Sequence, residues 1–209
     1  MKLYTFPPAP NGRKVNAVIH HLEIKGIETE IVNLAEGAQK KPEYMTINPM
    51  GRIPTLVDGD MVLWESNAIC EYLCDLQGDT SFYPRDRRVR ADISRWLFWQ
   101  VGDLAPAALA LSFENFLKKM FFGGEPDPVK VKEGEVRFHA VASVLDRHLE
   151  GRRFMVGDSV TLADFAMAAL FAVAVPGRFP LAEYQNIQAW NRGLDEIPAW
   201  KQTAPQPRV

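Results

Sequence analysis

The chain has 209 residues and a mass of 23.6 kDa, enough for one large domain or two small ones with ample length to bury a core. Hydrophobic residues make up 47% and charged residues 24%, which excludes a disordered or fibrous chain. Lys+Arg number 24 against 26 for Asp+Glu, a net charge of −2, so no global field favours a polyanion and nucleic acid is not an expected partner. Two cysteines exclude a disulfide scaffold and a four-cysteine zinc site. The N-terminal MKLYTFPPAP lacks the form of a secretory signal, and the longest apolar run, residues 165–175, is too short to span a bilayer. The expectation is a soluble, cytoplasmic protein with no membrane partner.

In chain order, residues 2–6 read as a strand closed by Pro7-Pro8. From Asn11 onward Val15, Val18, Ile19 and Leu22 form the stripe of an amphipathic helix, which Gly26 is expected to end. Residues 28–34, centred on Ile31 and Val32, read as a second strand. Residues 35–50, broken by Gly37, Pro42 and Pro49, read as a loop with a short helix. Thr55-Leu56-Val57 and the run 61–64 flank Asp58-Gly59-Asp60, a strong hairpin signal, and Ser66 opens a helix with Ile69, Tyr72, Leu73 and Leu76 on one side. A βαβ unit followed by a hairpin and a covering helix is a small α/β sandwich.

Residues 78–85, with Phe82-Tyr83-Pro84, read as a linker, and beyond 86 the strand signals fade. Helical spacing runs through Ile93, Trp96, Leu97, Val101 and Leu104, and again through Val136, Val141, Val144, Leu145 and Leu149, with a Gly/Pro break at 123–128. Thr161-Leu162-Ala163-Asp164 has the form of a capping box, with Val160 and Phe165 as its hydrophobic staple. The apolar helix behind it is expected at the centre of a second core. The expected fold is an α/β N-terminal domain followed by an all-α C-terminal helical domain.

Asn48-Pro49-Met50-Gly51-Arg52-Ile53-Pro54-Thr55-Leu56-Val57-Asp58, followed by Leu63-Trp64-Glu65-Ser66-Asn67-Ala68-Ile69, resembles the glutathione-site segment of the glutathione transferase superfamily. The likeness continues through Phe82-Tyr83-Pro84 and the capping box, and so covers essentially the whole chain. It implies a thioredoxin-like glutathione-binding domain at 1–79, a linker at 80–86, an all-helical domain at 87–209 and a homodimer. Pro8-Ala9-Pro10-Asn11-Gly12 followed by Lys14-Val15 is similar to bacterial Nu-type and theta-like members.

The resemblance also implies a division of labour over the ligand, a tripeptide with two carboxylates, an ammonium and a thiol. Ile53-Pro54 is the cis peptide of the family, and Ile53 offers its backbone N–H and C=O to the cysteinyl unit as an added strand. Glu65 accepts from the γ-glutamyl ammonium, while Ser66, at a helix start, donates to the γ-glutamyl carboxylate. Gln39, Lys40 and Arg52 are the candidates for the glycyl carboxylate; taken alone, they equally read as solvated surface side chains. The thiol, with a pKa of about 8.5, needs its thiolate favoured. Family members supply a Ser or Tyr hydroxyl or a Cys for this, and the Nu-like pattern a Thr, where this chain has Ala9. Asn11 remains as the catalytic candidate, its amide directed at sulfur with help from the helix N-terminus, although Asn11 is also a good N-cap.

The first function expected is therefore a glutathione transferase acting on a small hydrophobic electrophile. The Ala9 gap keeps two alternatives open: a glutathione-dependent disulfide reductase, and a non-catalytic glutathione-binding or assembly module. Cys70 and Cys74 read as buried thiols. His20, His21, His139 and His148 lack metal-ligand spacing, so no metal is expected. Five arginines between 85 and 95 alternate with acids and read as a solvated helix start. The stripe Phe113, Phe116, Met120, Phe121 and Phe122 reads mostly as core or dimer packing, part of it walling an apolar pocket.

Overall fold

The computed structural model describes residues 1–78 and 80–204; the expected domain bounds at 79 and 209 lie outside the described residues. Strand β1 (Lys2–Thr5), helix α1 (Pro10–His21) and strand β2 (Glu28–Ile31) make a parallel βαβ unit. Two 3₁₀ turns and a single-turn helix α2 (Pro42–Met45) lead to the hairpin β3 (Thr55–Asp58) and β4 (Met61–Trp64), and then to α3 (Ser66–Leu76). The sheet order is β2-β1-β3-β4, with β1–β3 and β3–β4 antiparallel. Strand β2 is exposed along its length, and Lys2 reaches across to Glu28 and Glu30, a charged treatment of an open edge.

The rest is helical: α4 (Arg87–Trp99), α5 (Ala105–Ser112), α6 (Lys118–Phe122), α7 (Pro128–His148), α8 (Leu162–Phe171), α9 (Gln185–Leu194) and α10 (Pro198–Lys201). Of the described helices, α1, α2, α7 and α10 begin on a proline, whose missing N–H is unneeded in the first turn. Helices α4 to α6 run on as one stretch through π-turns at Gln100–Leu104 and Phe113–Leu117. The first π-turn precedes Pro106, which can neither donate to nor pack over the carbonyl four residues back. No described helix is long and apolar enough to cross a membrane.

Both cores meet at α1, which packs on α3 in its own layer and on α8 and α10 of the helical layer. Val15, Ala17 and Val18 are fully buried there. Phe82, from the connecting segment, joins the two halves. It stacks with His21 and Phe165 at 4.4 and 5.1 Å, and its carbonyl accepts the Leu162 N–H at 3.0 Å. Burial pushes the His21 pKa down, which keeps this aromatic cluster uncharged. Residues 162–169 of α8 are all buried, as the apolar run leads one to expect.

Three expectations change. Helix α1 ends at His21 rather than at Gly26, because Glu23 takes the left-handed conformation (φ 54°), with Glu23 N–H on His20 O and Ile24 N–H on Ile19 O. The buried side of α7 is Gly134, Phe138, Ala142 and Leu145, leaving Val136 at 62% exposure; the bulky Phe138 sets the face. Val101 and the stripe Phe113, Met120, Phe121 and Phe122 are exposed, since each π-turn adds a residue and rotates the succeeding turns off the helical register. The core half of the core-or-dimer reading does not hold for these four residues, while Phe116 is half-buried and Phe122 stands 75% exposed.

The capping box carries more than its helix. Asp164 is fully buried and accepts from Met155 N–H at 2.8 Å, Thr161 N–H at 2.8 Å, Thr161 Oγ1 at 3.1 Å and Trp190 Nε1 at 2.9 Å. It ties α8 to α9 and to the preceding loop. Asp164→Ala orphans four buried donors and is expected to destabilise the chain by about 3–4 kcal/mol, read from the denaturant midpoint at unchanged slope.

Candidate functional site

Strand register decides where the chain's loops gather. Thr5 pairs with Ile31, Tyr4 with Thr55 and Thr55 with Trp64, so the loop after β1, residues 53–54 before β3 and residues 65–66 after β4 leave the sheet at one end. The segment 33–40 succeeds β2 at the same end. The site residues expected from the sequence are thereby brought into one neighbourhood from four separate stretches.

The loop before β3 is pinned from below. The Arg52 carbonyl accepts from Tyr44 OH at 2.6 Å and Asn48 Nδ2 at 2.9 Å, and both side chains also bond the buried Thr55 hydroxyl. Ile53-Pro54 is cis, and the Ile53 N–H and C=O have no hydrogen-bond partner among the described residues. Gly51, at φ 57°, lets this loop close on residues 39–40: a Cβ there would lie 2.8 Å from Lys40 Nζ and 2.9 Å from the Gln39 carbonyl. Gln39 Oε1 is buried without a partner among the described residues, Lys40 reaches the Met50 carbonyl at 3.4 Å, and Arg52 is exposed.

Glu65 stands at the N-cap of α3 with φ 74°, a conformation costing an L-residue about 1–3 kcal/mol and glycine nothing. Ser66 is the first residue of the helix and is buried, and its hydroxyl has no partner among the described residues. It does not cap the helix, so the merely structural role weighed for it is absent. The first N–H groups of α3 likewise have no partner among the described residues, an arrangement that favours an anion at this helix start.

Asn11 also departs from expectation. The N-cap of α1 is Ala9, and Asn11 is the second helical residue, exposed, with its amide unbonded among the described residues. The capping role is corrected: Pro10 takes the first helical position and pushes the cap back by one residue. Gly12 behind it touches the β1 loop so closely that a Cβ would lie 2.4 Å from the Phe6 carbonyl.

Sequence reasoning missed Arg13 and Lys14, the next two residues of the helix. Arg13 is buried with its guanidinium 3.9 Å above the Trp200 ring, donates to the Trp200 carbonyl at 3.2 Å, and burial lowers its pKa to about 10. Lys14 is fully buried, and its Nζ donates to Asn67 Oδ1 at 2.5 Å. A signal is present in the residues, since Lys14 lies four positions before Val18 on the apolar stripe.

Cys70 and Cys74 are buried free thiols, both pushed up by desolvation, Cys70 to about 12. His139 meets Tyr184 and Glu183, and His148 meets the Met155 carbonyl. No cluster of three or more His, Cys, Asp or Glu placed to hold a metal occurs among the described residues. At pH 8 a water-soluble aromatic disulfide reagent is expected to leave both cysteines unmodified in the native chain and to titrate both after unfolding. A fast native reaction would put a cysteine within reach of the site.

Two family models match the chain, the glutathione S-transferase N-terminal domain over residues 1–75 and its C-terminal domain over residues 108–198. Glutathione S-transferase D7 of Drosophila melanogaster is 32% identical over 205 residues, 97% of this chain and 88% of the relative. Glutathione S-transferase 3 of Zea mays is 34% identical over 211 residues, 97% of this chain and 92% of the relative. Among solved structures, a delta-class glutathione transferase of Nilaparvata lugens superposes with a TM-score of 0.82 at 28% identity, covering 97% of this chain and 92% of that one.

Proposed function

The chain belongs to the glutathione S-transferase family, and from that membership we propose that it binds glutathione at the end of the sheet where Asn11, Ile53, Glu65 and Ser66 gather, and uses it against a small hydrophobic electrophile. One observation carries the reading. The side chains of Asn11, Glu65 and Ser66 and the N–H and C=O of Ile53 have no hydrogen-bond partner among the described residues and stand together at one end of the sheet, with Ser66 in the first turn of α3, where the helix favours an anion. Residues 1–79 would form the glutathione-binding domain, 80–86 the linker and 87–209 the wall of the acceptor site.

The donor set suits the tripeptide group by group. Ser66 and the free N–H groups of α3 take the γ-glutamyl carboxylate, and Glu65 takes the ammonium. Ile53 pairs its backbone with the cysteinyl unit. Lys40, Arg52 and Gln39 are assigned to the glycyl end. Glycine would adopt the Glu65 backbone without penalty, so the carboxylate is what a glutamate brings there. Bound glutathione supplies the nucleophilic thiol. Asn11 donates to sulfur and the N-terminus of α1 adds about 0.3–1 kcal/mol, less than one pKa unit. Thiol activation is therefore modest, and most of the rate comes from fixing the sulfur against its acceptor.

The same absence of a hydroxyl at Ala9 supports a second reading, thiol–disulfide exchange, which needs the glutathione sulfur and an accessible disulfide but no protein hydroxyl. Exposed Met50, Val62 and Trp64 on one half and Phe98 and Val101 on the other support a homodimer, to be checked by sedimentation. Two reduced thiols support a cytoplasmic location.

Ser66→Ala is expected to weaken glutathione binding about tenfold with the fold intact, measured by calorimetry. Asn11→Ala is expected to lower kcat more than it raises KM; equal losses would make Asn11 structural. The deciding assay tracks thiolate absorbance of bound glutathione against pH beside turnover of an aryl halide and a model disulfide. Aryl-halide turnover supports the transferase, disulfide turnover alone the reductase, and binding without either a non-catalytic module.

A further inference from the structure

Lys14 is the least expected side chain in the molecule. Lysine is almost never fully buried unless paired, yet this one has 0% exposure and no carboxylate within ion-pair distance among the described residues. Its bonded partner is a neutral amide, Asn67 Oδ1. Glu65 and the Cys70 thiol act on it from further off. Burial lowers the amine's pKa to about 8, so at neutral pH the fold holds a poorly compensated cation where a methionine would fit the apolar stripe.

What the cation holds is the start of α3. Asn67 comes directly after Ser66, and both ends of its amide are occupied: Oδ1 by Lys14, Nδ2 by the Leu97 carbonyl and Gln100 Oε1, each at 3.2 Å. Gln100 is the first residue of the π-turn, buried and aimed across the domain junction. Four elements (α1, α3, α4 and the π-turn) thus converge on one amide beside the γ-glutamyl clamp. The positive charge also reinforces the end of the helix that Ser66 presents to an anion.

We propose that Lys14 is a positioning residue for glutathione: by holding Asn67 it fixes the first turn of α3 so that Ser66 and Glu65 meet the γ-glutamyl end, and it adds its charge beneath the incoming carboxylate. The inference rests on the reading that Glu65 and Ser66 bind that end of the ligand.

The test is a double-mutant cycle in the full chain with Lys14→Met and Asn67→Ala, titrated with S-hexylglutathione, which has no free thiol to confuse the result. Each variant is expected to bind about tenfold more weakly, and the double variant no more weakly than the worse single one, because the two act through one contact. Lys14→Met is expected to melt close to the parent, since removing a buried charge offsets the Asn67 oxygen it leaves unbonded. For whichever substrate the parent turns over, it should raise KM for glutathione about tenfold while kcat stays within about twofold. Parallel losses of affinity, kcat and melting temperature in both single variants would reduce Lys14 to a structural strut and overturn the proposal. Parent-like affinity in Lys14→Met, with Ser66→Ala weakened, overturns it while leaving the clamp standing. Parent-like affinity in Ser66→Ala removes the clamp itself and the inference with it.

Discussion

The burial of one helix from two sides governs this molecule. Helix α1 supplies the core of the α/β layer through Val15 and Val18 and is at the same time the surface on which α8 and α10 pack. A helix enclosed in this way must dispose of every polar side chain it carries, and α1 carries Arg13 and Lys14 in succession, about 100° apart around the axis. They leave in different directions. Arg13 crosses to the Trp200 ring and carbonyl near the end of the chain, and Lys14 turns to Asn67 at the start of α3. Buried charges held in this way are weak contributors to stability. The orientation of α1, and with it the placement of Asn11 at its exposed tip, is set by partners up to 187 residues away.

The sheet supplies the second half of the geometry by register alone. Because β1 pairs in parallel with β2 and antiparallel with β3, and β3 forms a hairpin with β4, the ends that carry Asn11, Ile53 and Glu65 coincide. A slip of one residue in the β3–β4 pair would turn Leu56 and Leu63 out of the core and carry Glu65 away from Ile53. Burial of Leu56 therefore enforces the alignment of polar groups at the strand ends. The Tyr44 and Asn48 bonds to the Arg52 carbonyl complete the same arrangement from underneath. Site geometry here is a consequence of core packing more than of contacts among the site residues.

Much of this is legible in the residues. Period changes mark the strands and α1, Asp58-Gly59 marks the hairpin, and Thr161 with Asp164 marks the start of α8, because each is a local signal with a local cause. The illegible part depends on neighbours distant in sequence. The end of α1 lies at Glu23, since a tertiary arrangement holds a non-glycine residue in the left-handed region. The two π-turns shift the faces of the long helix, so aromatic spacing that reads as core from 113 to 122 emerges on the outside. At the site, the motif residues announce themselves, whereas Lys14 shows only its place on the apolar stripe of α1, and its partner Asn67 on α3 emerges from the packing. Asn67 and Gln100 carry no signal of their junction role, and only the packing brings them together.

Ala9 separates two tasks that a hydroxyl at that place would join. Holding a tripeptide needs many weak, distributed contacts, and the proposed site offers them in Ile53, Glu65, Ser66 and the free end of α3. Ionising a thiol needs one strong donor at one atom, and methyl-bearing Ala9 at the N-cap cannot be that donor. The amide of Asn11, released from capping because Ala9 occupies the cap, is neutral and flexible, and its contribution is bounded by that of a single neutral hydrogen bond, about 0.5–1.5 kcal/mol. On the proposed reading, a site that holds the tripeptide and activates its thiol only mildly favours acceptors that a partly protonated thiol already attacks well. Disulfides and activated double bonds belong to that group, and unactivated aryl halides do not. On the proposed reading the chemistry is set by the residue the chain lacks as much as by those it has, and a helical wall holding the acceptor would supply in positioning what the sulfur lacks in charge.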